Sequence, residues 1–260
     1  MELKLVTNTA RSAVLELTES GKFYTELQYD IYVNGEKYME SNKVITSLFD
    51  LKPDTDYNVY AVYNGQKTNE VNIHTKYEFV TLNVRDFGAL GDGVHDDTNA
   101  IQCAIMACPK DSRVLVPEGE YKVSSVFLKS DLTLELAKGA VLSAFTERDK
   151  FPILPGVIES YDEKEEYNLG SWEGNPLDCF SAILCGINAE NVVITGEGTI
   201  DGNTTFENWW NNCKIRNTAW RPRLFFINHC NNVMMHGITV QNSPSWTIHQ
   251  QPPQIHRCKD

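Results

Sequence analysis

The sequence predicts an all-β chain in two parts: an N-terminal β-sandwich, then the first coils of a parallel β-helix capped by a short α-helix. Three observations lead there. Residues 1–77 alternate apolar and polar side chains in short runs divided by turn residues. Three later stretches repeat one pattern at unequal spacing. Between them, a glycine-rich turn leads into an apolar run with helical spacing.

In the first part, "SAVLELTES", "YDIYVNGEKY", "VITSLFDL", "YNVYAVYNG" and "EVNIHT" are the strand runs, and Asn34-Gly35 and Asn64-Gly65 are hairpin turns. In "LFDLKPDTDYNVYAVY", Pro53 and Asp54 make a turn and Tyr57 starts the next strand. That spacing fits a tyrosine corner, whose hydroxyl bonds back to the upstream backbone. The stretch resembles a fibronectin type III module over residues 1–77, which implies spacing or packing more than sugar binding. No Gly/Ser/Pro linker follows, so the second part, residues 78–260, begins directly.

The second part carries "GDGVHDDTNAIQCAI" at residues 91–105, with two adjacent carboxylates, Asp96 and Asp97. Gly91 and Gly93 permit positive φ in a turn. Ala100, Ile101, Ala104 and Ile105 share one helical face, and Pro109 stops the helix. An aspartate at the N-cap accepts a free backbone N–H, worth about 1 kcal/mol, and suits the positive end of the helix dipole. Adjacent side chains on a cap do not bracket a substrate bond. Asp96 and Asp97 are therefore expected to be structural cap residues, with the helix closing the open end of a solenoid.

The repeats are "SDLTLELAKGAVLSA" (130–144), "AENVVITGEGTIDGN" (189–203) and "CNNVMMHGITVQNSP" (230–244). Each opens on a polar pair, runs through a short alternating strand, bends at or near glycine, and starts a second strand. One unit cannot bury its inner face alone, but stacked units can. Gly139, Gly196, Gly198 and Gly237 mark the bends. Unequal spacing places inserted loops near 160–173 and 204–222.

Composition narrows the function. Hydrophobic residues at 42% and charged residues at 22% are those of a globular chain. A net charge of −12 argues against nucleic acid, which needs clustered Lys and Arg. Seven cysteines form no metal or disulfide pattern and are expected to be reduced thiols. No run is long enough to cross a membrane, and "MELKLVTNTA" has no apolar signal core. A cytoplasmic chain is expected from this, or an exported one if a leader was lost. The segment after Gly202 is basic and Trp-rich, which suits local binding of a polyanion as well as mere uneven surface charge.

"VRDFGALGDGVHDDTNAIQCAI" resembles the N-terminal signature of pectin-degrading β-helix proteins. "SAILCGINAENVVITGEGTIDGN" with Trp209-Trp210, and "RPRLFFINHCNNVMMHGITVQNSPSWTIH", resemble glycoside hydrolase family 28, the polygalacturonases. The N-terminal module is similar to that of bacterial exo-acting members. The resemblance implies a right-handed parallel β-helix and inverting hydrolysis of α-1,4-galacturonosyl bonds in pectin, with no metal or organic cofactor. Inverting carboxylates stand about 6.5–9.5 Å apart, leaving room for the attacking water.

The family's catalytic motifs, Asn-x-Asp-Gly, Asp-Asp, Gly-His-Gly and Arg-Ile-Lys, are not matched outside the cap pair. Asp201 in "GTIDG" is expected to serve a turn. No catalytic residue is assigned, and the chain alone is expected not to cleave polygalacturonate. After "SWTIH" the tail "QQPPQIHRCKD" resumes no apolar alternation, as in a truncated gene product. An edge strand with exposed apolar side chains is expected, and with it poor stability. For substrate binding, Arg221 and Arg223 suit bidentate contact with galacturonate carboxylates, or are surface arginines at a coil boundary. Trp209 either stacks on a sugar or packs a loop, and His249 lines a groove or is a satisfied structural histidine. The partner implied is a pectic poly- or oligosaccharide. The alternative is a non-catalytic carbohydrate-binding or structural β-helix. A calcium-using lyase ranks last, because residues 202–257 hold a single acid, Glu207.

Overall fold

The computed structural model describes residues 1–18, 23–157, 159–160 and 166–251. It divides the chain into two compact units, Met1–Phe79 and Val80–Asp260.

The first unit is a β-sandwich. One sheet pairs β1 (Leu3–Asn8), β2 (Ala13–Leu17) and β5 (Ile45–Leu48); the other orders β4 (Glu36–Lys43), β3 (Tyr24–Val33), β6 (Asp56–Tyr63) and β7 (Gln66–Lys67), with β8 (Val71–His74) also on β6. Alternate residues point inward: Leu3, Leu15 and Leu17 from the first sheet meet Tyr29, Ile31, Val59, Ala61 and Ile73 from the second. Both hairpin turns take left-handed backbone, with φ of 51° and 85° at Asn34-Gly35 and 49° and 74° at Asn64-Gly65. The Tyr57 hydroxyl accepts the Lys52 backbone N–H at 2.7 Å, which ties the turn to the strand that follows it.

The second unit is a parallel β-helix of three sheets. Its first strands are β9 (Thr81–Asn83) and β10 (Asp92–Asp96), followed by α1 (Thr98–Ala107). Then come β11 (Arg113–Val116), β12 (Gly119–Val123), β13 (Val126–Leu128), β14 (Leu132–Leu136) and β15 (Ala140–Ala144). An insertion carries the two-residue strands β16 (Ile153–Leu154), β17 (Glu159–Ser160), β18 (Glu166–Tyr167), β19 (Ser171–Trp172), β20 (Asn175–Pro176) and β21 (Cys179–Phe180). The coil resumes with β22 (Leu184–Ile187), β23 (Glu190–Gly196) and β24 (Thr199–Asp201). After a second insertion it continues with β25 (Phe225–Asn228), β26 (Asn231–Met235), β27 (Thr239–Gln241) and β28 (Ile248–Gln251). The first sheet orders β9-β11-β14-β23-β26, the second β10-β12-β15-β24-β27 and the third β13-β22-β25-β28.

The three repeats stack in register. Leu132 lies beside Val192 and Val192 beside Val233; Val141 lies beside Thr199 and Thr199 beside Thr239. Inward positions form one core, including Val114, Leu134, Ile194, Tyr121, Leu142, Ile200, Leu184 and Phe225. At the turn before the first sheet, Asp131, Asn191 and Asn232 all take left-handed backbone, with φ of 55°, 57° and 52°. Their side chains form a ladder, Asn191 donating to Asp131 at 2.9 Å and Asn232 to Asn191 at 2.8 Å. The polar pair that opens each repeat is therefore a stacking device. At the next bend, Gly196 has φ +113°, and a Cβ there would lie 2.0 Å from the Leu136 carbonyl oxygen.

Helix α1 buries Ile101, Ala104 and Ile105 against the first coils, and its chain exits extended at Cys108. The two aspartates divide the work differently from the expected N-cap bond. Asp97 occupies the cap position but its carboxylate turns away from the helix, accepting the backbone N–H of Leu90 at 2.7 Å and of Gly91 at 3.1 Å. Asp96 accepts the Thr98 N–H at 3.1 Å. Asp97 takes φ −90° and ψ 1°, outside the extended conformation usual for a capping residue, and its carboxylate is held by the 88–91 turn instead. Asp201 serves a turn, accepting from the Asn203 backbone, Gln241 and Asn242 at 2.7–3.1 Å.

The last described coil is less buried than those before it. Val233, Met235 and Val240 are only partly covered, and Ile248 is 48% exposed. The tail from 252 on, and parts of the acidic stretch 159–167, lie outside the described residues.

Candidate functional site: an arginine–tryptophan face

The third sheet has two unlike faces. Val126, Leu128, Leu184, Phe225 and Ile227 point into the coil. Phe127, Cys185, Phe226 and His249 align across neighbouring strands on the outside. Leu154 and Leu169 of the insertion cover the Cys185–Phe226 portion of that outer column. His249, on β28, stands at its less covered end.

Around His249 the two insertions and the loop before β28 gather tryptophans and arginines. Trp172 stacks on Trp220, with ring centres 4.7 Å apart, and on Trp246 at 5.9 Å, each pair within 10° of parallel. The Arg221 guanidinium lies 4.2 Å from the Trp210 ring and 5.4 Å from Trp172. That of Arg223 lies 5.5–5.9 Å from Trp246, Phe226 and Trp172. Cation–π attraction to indole faces, strongest where water is excluded, holds both groups. Arg221 Nη1 also donates to the Pro244 carbonyl at 2.5 Å, and Arg223 Nη2 to the Ser171 carbonyl.

Both arginines are buried, at 8% and 2% exposure, and neither forms an ion pair among the described residues. Asp178, the carboxylate that enters this region, is held by Arg216 at 3.1 Å and by the Gly156 N–H at 2.9 Å. Burial lowers the Arg221 pKa, although a guanidinium stays charged throughout the accessible range. Burial also pushes the Cys179 thiol up, against the pull of Arg223, so no thiolate neutralises that charge. His249 is pushed down to about 4, chiefly by burial and further by Arg223, and is neutral at pH 7.

The sequence-derived candidates separate here. Arg221, Arg223 and His249 come together on this face. Trp209 does not: it is 1% exposed, packed edge-on against Phe151 and Phe180 at 5.6 and 5.7 Å, with Arg148 4.5 Å from its ring. It fastens the loop and cannot meet a sugar. Its neighbour Trp210 is 37% exposed and donates Nε1 to the Ser243 carbonyl at 3.2 Å. Trp220 and Trp246 belong to the basic, Trp-rich segment after Gly202, while Trp172 carries no individual signal in the sequence. Trp246 lies in the last of the family-like stretches, and Trp172 was hidden beside an acidic segment. A separate open cleft of about 490 Å³, lined by Thr146, Arg148, Asn208, Asn211, Asn212 and Arg216 among others, contains none of these aromatic groups. No cluster of His, Cys, Asp and Glu fit to hold a metal occurs among the described residues.

The model of glycosyl hydrolases family 28 matches residues 110–260, more than half of the chain. The chain belongs to glycoside hydrolase family 28. A second model, rhamnogalacturonase A/epimerase, pectate lyase-like, matches residues 81–137 of this family 28 chain. The chain is 36% identical over 165 residues to an exo-poly-α-D-galacturonosidase of Dickeya chrysanthemi, an alignment covering 59% of this chain and 25% of that protein. It is 31% identical over 173 residues to a probable polygalacturonase of Vitis vinifera, covering 63% and 33%. It thus spans a quarter to a third of these relatives' length. Among solved structures, the Yersinia enterocolitica family 28 exopolygalacturonase superimposes with a TM-score of 0.65 at 22% identity, over 94% of this chain and 55% of that one. The Thermotoga maritima exopolygalacturonase gives 0.53 at 24% identity, over 67% and 45%. These likenesses share the parallel β-helix fold.

Proposed function

We propose that this family 28 chain holds pectic galacturonan on the outer face of the third sheet and does not cleave it by itself. One observation carries the reading: among the described residues that face bears an arginine–tryptophan site, and the carboxylate beside it, Asp178, is already held by Arg216 and the Gly156 N–H. None of β13, β22, β25 or β28 contains Asp or Glu, and residues 224–251 contain no charged side chain of the Asp, Glu, Lys or Arg type. Inverting hydrolysis needs a carboxylic acid on the leaving oxygen and a carboxylate on the water, about 6.5–9.5 Å apart across the bond. The aspartates legible in the sequence are occupied elsewhere, Asp97 in the 88–91 turn and Asp201 in the coil bend.

The N-terminal unit fits a fibronectin type III-like module. Its three-stranded and larger second sheets and the Tyr57 bond support that reading. Its buried side chains serve its own core, and a spacing role follows.

The reading is tested by incubating the purified chain with polygalacturonate and measuring new reducing ends. No increase over the uncatalysed control is expected. Reducing ends formed by the pure protein and abolished by Asp201→Asn would overturn it, because Asp201 would then be the missing acid.

A further inference from the structure

We infer that two copies of this chain associate through the open end of the β-helix, last coil to last coil, as a closed dimer. This association is separate from whatever the outer face of the third sheet binds.

The two ends of the solenoid are built differently. At the first coils, α1 buries Ile101, Ala104 and Ile105. From the same helix the Gln102 amide accepts the Phe127 N–H at 2.7 Å and donates to the Phe127 carbonyl at 2.9 Å. It stands where a further strand would pair with β13, so that edge is satisfied. At the other end, β26, β27 and β28 are the outermost strands of their sheets among the described residues, and all three belong to one coil. Their inward residues continue the core: Val233 lies beside Val192, Val240 beside Ile200 and Ile248 beside Phe225. Val192, Ile200 and Phe225 are each 1% exposed, whereas Val233 and Val240 are only partly covered and Ile248 is 48% exposed.

The occupant that fits is a second copy. Sheet edges are ordinarily guarded by Lys, Pro, bulges or inward charges. β26, β27 and β28 contain no Lys or Pro, and their pairing with β23, β24 and β25 shows no register shift. The chain has 23 Lys and Arg and 35 Asp and Glu, but residues 224–251 contain none of them. A charged end would repel its own image; this one meets a second copy without like-charge repulsion. A two-fold axis across the solenoid reverses strand direction, so the edges meet antiparallel, the commoner pairing. Because the helix covers the other end, association closes at two copies instead of growing into a fibre.

The test is sedimentation velocity of the whole chain from about 1 to 100 μM, the range in which a modest interface shows. A reversible species of twice the 29.5 kDa chain mass is expected to grow with concentration. Hydrogen exchange on the same samples should show the β26–β28 amides gaining protection as it forms. Val240→Lys and Ile248→Lys should each weaken the dimer at least about tenfold, because each sets a like charge against its image. Met106→Lys, at an exposed position of α1 on the covered end, should leave it unchanged. A monomer at every concentration overturns the inference. So does a monomer whose β26–β28 amides are already protected, since another segment would then hold the edge. Growth beyond two copies, or a dimer indifferent to both lysines at the open end, overturns it too. The concentration series and the exchange need no variant, so they decide the matter even if a lysine substitution prevents folding.

Discussion

Replacing Asp97 and Asp96 one at a time by alanine separates two neighbours that look equivalent in the sequence. The Asp97 side chain is 2% exposed and accepts two backbone N–H groups, Leu90 at 2.7 Å and Gly91 at 3.1 Å. A hydrogen bond to a charged group contributes about 1.5–3 kcal/mol. Leu90 is half-exposed, so its N–H regains water in the variant. The loss for Asp97→Ala is then about 3 kcal/mol, between one such bond and two. For a unit of this size about 1 kcal/mol moves Tm by roughly 2–4 °C, so a fall of about 6–12 °C follows. Asp96 differs. Its carboxylate is 43% exposed, makes one bond to the Thr98 N–H, and stands 3.5 Å from Lys150. An exposed ion pair adds little, and a cap bond contributes about 1 kcal/mol. Asp96→Ala should therefore lower Tm by no more than about 4 °C. Scanning calorimetry on both variants, reading the transition of the β-helix unit, decides it. Equal falls for the two variants, or an unmoved transition for Asp97→Ala, would refute the assignment of Asp97 as the buried tie of the 88–91 turn.

Gly196→Ala should prevent stable stacking of the coils, because its Cβ would lie 2.0 Å from the Leu136 carbonyl at a backbone φ of +113°; loss of the β-helix melting transition checks this. Lowering the pH from 7 to 5 should destabilise the β-helix unit through His236 and His249. Both imidazoles are pushed down from 6.5 to about 4, mainly by burial. The unfolded chain takes those protons near pH 6.5 while the folded chain refuses them until about 4, so stability falls with pH in that window. His236→Gln should flatten part of that slope, and a Tm independent of pH between 7 and 5 would contradict it. In the N-terminal unit, hydrogen bonds to Asp56 and then Asp54 raise the His74 pKa. Its proton-resonance titration should have a midpoint above 6.5, and a midpoint below that value would contradict the bridged geometry.

The solenoid was legible because its physics is periodic. Each repeat alternates so that one face fills the core, and the polar pair before it supplies the residue that takes left-handed backbone and joins the ladder. Tyr57 was legible for a similar reason, since a turn and an aromatic at fixed spacing leave one place for the hydroxyl. Where the outcome depended on non-local packing, the sequence was silent. Nothing in "NWW" says which tryptophan faces in; the core offers Phe151 and Phe180 to Trp209, and Trp210 is left outside. The arginines suggested anion binding, but their burial depends on the insertion that brings Trp172 over them, far earlier in the chain. Of the two cap aspartates, Asp96 accepts a first-turn N–H, from Thr98, while Asp97 ties the 88–91 turn instead. Two adjacent aspartates look alike in the sequence, and the 88–91 turn that takes Asp97 is a tertiary contact the local pattern does not specify.

The most direct test of the account is a crystal structure of the chain soaked with a galacturonate trimer, with the soaking liquid analysed for smaller sugars. The account predicts an intact trimer on the outer face of the third sheet, one carboxylate against Arg221 and Arg223. A trimer seated instead in the amide-lined cleft by Arg148, or one cut to shorter sugars, would contradict it.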